Sequence, residues 1–75
     1  MELAAAIIRP SYNEAKRRGA SHLLVFHNTR SKGLEIVYVM PAQDPDRVAA
    51  NFDSPTVQFV QSFAIDQDFE SQLSG

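Results

Sequence analysis

The sequence predicts a small α+β domain: a two-layer sandwich with an antiparallel or mixed sheet of three or four strands and two short helices on one face. Three observations carry this. Two β-rich runs flank a polar spacer between His22 and Met40. Two helix-start signals stand at Ser11 and at Asp44-Pro45. A long alternating run closes the ordered pattern between Thr56 and Ile65.

The central feature is the pair His22-Leu-Leu-Val-Phe-His27 and Leu34-Glu-Ile-Val-Tyr-Val-Met40, separated by Asn28-Thr-Arg-Ser-Lys-Gly33. Both runs are rich in β-branched and aromatic residues, and the spacer is polar and ends in glycine. This is the pattern of a β-hairpin with a loop longer than two residues.

Upstream, the apolar run 3–9 ends at Arg9-Pro10. Ser11-Tyr-Asn-Glu14 has the form of a capping box, which starts a helix at Tyr12. One continuous helix would place Pro10 in its interior, at a cost of about 3 kcal/mol. The run 3–9 therefore reads as a strand, with a separate helical turn as the other reading, and residues 12–18 as the first helix. Lys16, Arg17 and Arg18 suit the negative end of its dipole, and Gly19 the position just past its end.

Downstream, Asp44 fits a helix N-cap, Pro45 the first helical position, and Asp46 the positive end of the dipole. Val48 and Phe52 share one face of this helix at i, i+4. Asp53-Ser54-Pro55 stops it. Thr56 to Ile65 follows as a strand with Val57, Phe59, Phe63 and Ile65 toward one side. Residues 66–75 form an acidic tail or a short terminal helix, with Phe69 and Leu73 at helical spacing behind a possible cap at Asp66. The order over the single domain 1–65 is βαββαβ, the ferredoxin-like arrangement, or αββαβ if the first run is helical.

Length and composition narrow the function classes. Seventy-five residues make one domain. A chain near this size buries only about 60% of its unfolded surface. With no cysteine, disulfides and thiolate metal sites are excluded. Self-association or a partner is the remaining stabiliser, and no metal or cofactor is expected. A net charge of −2 gives no overall attraction to nucleic acid or anionic membrane. The apolar N-terminal run carries Glu2, lacks a positive leader, and is too short for a membrane span, so a cytoplasmic protein that avoids the membrane is expected.

The strand patterns point to a contact surface. Leu34, Ile36, Tyr38 and Met40 alternate with Val37 and Val39, and Leu24 and Phe26 with Leu23 and Val25. Both sheet faces are therefore apolar, and two helices on one side leave the other bare. The bland reading is a central strand buried on both faces. The sharper reading is an interface formed by Val37, Val39, Phe26, Val60, Phe59 and Gln58 for a second copy or another protein. The last strand has no lysine, internal proline or glycine to blunt edge pairing.

Chemistry-bearing residues form no motif. His22 and His27 lie five apart in one strand and face opposite ways. The serines lack a nucleophile elbow. Asp66-x-Asp68-x-Glu70 lacks the glycine and later glutamate of a calcium loop. The basic set comprises Lys16, Arg17 and Arg18 at the first helix end, with Arg30 and Lys32 in the hairpin loop. The two groups stand at opposite ends of a strand, two small patches and not one groove. The expected function is a non-enzymatic protein–protein interaction or regulatory, accessory or inhibitor protein. A nucleic-acid-binding module using the basic residues is the second reading. A small enzyme with a histidine at a dimer cleft is the third.

Overall fold

The structure, a computed structural model, describes residues 5–74. It is an α+β fold in which one three-stranded antiparallel sheet carries three helices. The elements in chain order are helix α1 (Ala5–Arg17), strand β1 (His22–Asn28), strand β2 (Gly33–Val39), helix α2 (Pro45–Phe52), strand β3 (Val57–Ala64) and helix α3 (Phe69–Ser74). The sheet order is β2-β1-β3, so the first hairpin strand is central.

The strand expected at residues 3–9 is not formed. Residues 5–9 belong to α1, and residues 3 and 4 lie outside the described residues. Pro10 sits inside this helix and Ser11 is helical, not a cap. The proline penalty is offset by packing: Ile8, Tyr12 and Ala15, at i, i+4 and i+7, are all buried against the sheet. The exit is as the sequence indicates. Gly19 has φ +77, with Ala20 N–H donating to Ala15 C=O at 2.9 Å and Gly19 N–H to Lys16 C=O at 3.2 Å, a Schellman motif.

The hairpin forms with His22 opposite Val39 and Asn28 opposite Gly33. Its loop is held by Asn28, whose Oδ1 accepts from the Arg30 and Ser31 amides and whose C=O accepts from Lys32 N–H. Helix α2 starts as expected: Asp44 accepts from the Asp46 amide at 3.0 Å, and Pro45 takes the first turn. Asp68, not Asp66, precedes α3, accepting from the Ser71 amide and hydroxyl.

Two helices on one face is the second expectation to be corrected. Leu23, Val25, Phe63 and Ile65 pack under α1 and α3, joined from β2 by Leu34, Ile36 and Tyr38. Leu24, Phe26 and Val39 form a second core with Val48 and Ala49 of α2. Because α1 replaces the first strand, only one strand–helix–strand crossover remains, β2-α2-β3 over β1. Its helix covers one face and α1 is left to cover the other. The bare apolar face inferred from two same-side helices therefore has its own cover.

Strand β3 departs from simple alternation. Val25 lies opposite Gln61 while Phe26 lies opposite Phe59, so a bulge at Val60 inserts one residue. Val57 and Phe59 consequently turn to the α2 side, and Phe63 to the α1 side. The four residues expected on one side are split between two.

Candidate interaction surface

The bulge and the end of α2 together set two exposed aromatic rings against one buried ring. Phe26 is wholly buried at the sheet centre. Its ring is flanked by Phe52, 6.0 Å between centroids, and by Phe59, 5.7 Å and edge-on. Phe52 remains 51% exposed and Phe59 44% exposed. Phe52 is the last residue of a two-turn helix, so it overhangs the sheet instead of closing onto it. Phe59 sits where the bulged edge strand bends. Asp53 follows Phe52 directly, and its Oδ1 accepts from the Phe59 amide at 3.4 Å.

The six expected interface residues are distributed as follows. Phe26 and Val39 are 0% exposed and belong to the core. Val37 is half-buried against the cluster under α2, and Val60 is half-buried on the opposite, α1 side. Phe59 and Gln58 are exposed. Gln58 pairs with His27 and so faces away from Phe59. The structure thus adds Phe52, whose i, i+4 relation to Val48 reads as buried in the sequence.

The β3 edge is less open than its composition indicates. Ser54 exchanges hydrogen bonds with Val57: its N–H donates to the Val57 C=O, and its Oγ accepts from the Val57 amide. At the other end Gln72 Oε1 accepts from Ala64 N–H at 2.7 Å, and Gln72 Nε2 donates to Ala64 C=O at 2.9 Å. A side-chain amide thereby takes the place of a neighbouring strand.

The five basic residues expected to form patches stand in three places. Arg17 and Arg18 both bond Glu14, and the Arg18 guanidinium also lies 4.8 Å from the Tyr38 ring centroid. The Arg18 hydrogen bond, followed by that of Arg17, holds the Glu14 carboxyl below its ordinary value. Lys16 turns into a separate cleft with Arg9, Asn13, Asp66 and Asp68. Arg30 and Lys32 are exposed at the hairpin tip, about 20 Å away along β1 at ~3.3 Å per residue. No continuous cationic track results.

His22 and Ser21 line a recess of about 260 Å³ with Asp66. Ser21 Oγ lies 2.9 Å from His22 Nδ1 and donates to the Val39 carbonyl at 3.2 Å. The Ser21 hydroxyl thus bridges the His22 ring and the Val39 carbonyl and ties the start of β1 to the end of β2. Among the described residues no group of three or more potential ligands could hold a metal ion, and no helix is long and apolar enough to cross a membrane. No protein family, curated protein or solved structure matches this chain.

Proposed function

We propose that this protein is a small interaction protein of the regulatory or accessory kind that pairs with a second copy of itself through the Phe52–Phe59 surface. The observation that carries the reading is the aromatic trio: one ring buried, two half-exposed and held against it. Rings fixed in this way lose little side-chain entropy on binding, which is what makes aromatic residues effective contact anchors.

A second copy is favoured by the rim. Asp53 adjoins the pair, and Arg30 sits in the loop that Thr29 ties to Thr56 through two contacts to the Thr56 carbonyl, at 2.7 and 3.0 Å. A two-fold pairing that sets Asp53 of one copy against Arg30 of the other joins opposite charges at the rim. The magnitude is modest. Half-exposed phenylalanines each offer roughly 100 Å², so two copies bury about 400 Å² of ring, or roughly 10 kcal/mol at ~25 cal/mol/Å². Association costs about 4–15 kcal/mol. The most favourable balance, about 6 kcal/mol, corresponds to a reversible dimer no tighter than tens of micromolar.

Sedimentation equilibrium over a wide concentration range tests this. The expected result is a mass rising toward that of two chains, and a Phe52→Gln, Phe59→Gln double variant that stays at one. A wild-type chain that remains a monomer at the highest concentration overturns the reading.

A further inference from the structure

The cleft between α1 and the β3–α3 turn has a second character, unrelated to the aromatic surface. Its volume is about 470 Å³, within the ~300–1,000 Å³ usual for small-molecule sites. One wall is helical: Arg9, Asn13 and Lys16 stand at i, i+4 and i+7, spread over about 10 Å of α1 at ~1.5 Å per residue. The facing wall is the turn Asp66-Gln67-Asp68. Buried Tyr12, Ile65 and Phe69 close the floor.

The two walls are held in place. Tyr12 Oη donates to the carbonyls of Ile65 at 3.0 Å and Gln67 at 2.7 Å, locking the turn to the helix. Arg9 is paired with Glu70 and lies over the Phe69 ring, 5.1 Å from its centroid. Asp68 is engaged by Ser71. Lys16, Asn13 and Asp66, by contrast, make no side-chain hydrogen bond or ion pair among the described residues. The cleft therefore presents one uncommitted cation beside an amide, opposite one uncommitted anion.

We propose that this cleft binds a small zwitterion, an α-amino acid or a dipeptide, with its carboxylate on Lys16 and Asn13 and its ammonium group on Asp66. A simple anion entering the cleft meets Asp66 and Asp68. A simple cation meets Arg9 and Lys16. A dipolar molecule satisfies both walls, because the two cationic and two anionic side chains lining the space balance.

The test is an amide-resolved NMR titration of the full chain with glycylglycine and with L-leucine, against sodium acetate and methylammonium chloride at matched ionic strength. The expected result is saturable shifts at Asn13, Lys16, Asp66 and Gln67 with one or both zwitterions, in the millimolar range or tighter, and none with the singly charged probes. Lys16→Met and Asp66→Asn each weaken that binding by about tenfold or more. Both positions are exposed, so the fold is retained, and circular dichroism of each variant checks it. Acetate binding as well as the zwitterions overturns the proposal in favour of a plain anion site. Absence of saturable shifts with every probe, or unchanged binding in both variants, also overturns it.

Discussion

The side-chain amide of Gln72 pairs with the backbone of Ala64 as a neighbouring strand would, accepting from its N–H at 2.7 Å and donating to its C=O at 2.9 Å. The contact fastens α3 to the end of the outer strand and occupies two backbone groups that could otherwise template a further strand. Replacing Gln72 by alanine removes both bonds, together with the longer ones from its amide nitrogen to the Gln67 and Asp68 carbonyls. At a net ~0.5–1.5 kcal/mol for each hydrogen bond, the expected loss of stability is about 1–3 kcal/mol. Urea unfolding measures that loss, and hydrogen exchange at the Ala64 amide should quicken with it. Gln72→Glu keeps an acceptor for the N–H but sets a carboxylate oxygen against the Ala64 carbonyl, and should cost at least as much as alanine.

Tyr12 performs a comparable function on the other side of the same turn. Its hydroxyl donates to the Ile65 and Gln67 carbonyls, while its ring packs 5.0 Å from Phe69. Tyr12→Phe retains the ring and removes the donor, so the core should persist. The expected cost is about 1–2 kcal/mol, since the carbonyls lose a partner in a partly buried place. Exchange in the turn 65–67 should accelerate more than exchange in β1. An unchanged urea midpoint would show the hydroxyl contributes nothing.

How far the sequence could be read follows from which signals are local. The hairpin, the α2 cap at Asp44-Pro45 and the glycine stop at Gly19 are written in adjacent residues, and each forms where expected. The opposing faces of β1 and β2 were also legible, because strand alternation is a local period. The helix through Pro10 was not. Local chemistry sets a penalty there, and the compensation from Ile8, Tyr12 and Ala15 comes from packing on distant strands. That one substitution of helix for strand decides which face α2 covers, and hence whether Phe26 and Val39 are core. The bulge at Val60 leaves one trace in the sequence, Gln61 among otherwise apolar odd positions, and that polar residue alone does not say that the strand changes face there. Phe59 is exposed as the sequence indicates, whereas the exposure of Phe52 was not legible, because a helix end overhanging a sheet is a tertiary fact.

Acid should weaken the fold through two surface carboxylates, half-buried Glu14 and exposed Asp68. Glu14 is held below the ordinary glutamate range chiefly by the Arg18 hydrogen bond, and Asp68 below the ordinary aspartate range chiefly by the Ser71 hydroxyl and then its amide. A carboxyl whose folded value is depressed contributes stability above its unfolded value, about 4.3 for glutamate and 3.9 for aspartate. That contribution is lost as pH falls through the folded value. Urea midpoints followed from neutral pH into the acid range should therefore drop below about pH 4, and Glu14→Gln should flatten part of the drop. Raised salt should shrink the Glu14 share and leave the Ser71–Asp68 cap less affected, because screening acts on the ion pairs.

Val39 and Phe59 separate core from contact surface. Val39 is wholly buried beneath α2, so Val39→Glu forces an unpaired carboxylate into the second core. The chain should lose several kcal/mol, on the order of the 3–5 kcal/mol found for uncompensated buried charge, and unfold or nearly so. Phe59→Gln changes a ring that is 44% exposed on an edge strand, and should cost the single chain about 1 kcal/mol or less. Its effect should fall on association, seen as a shift of the sedimentation equilibrium toward one chain while the urea midpoint at low concentration stays nearly constant. The two readouts move in opposite ways for the two variants. If Phe59→Gln instead unfolds the isolated chain as Val39→Glu does, the outer ring is part of the core and the aromatic pair is not a docking surface.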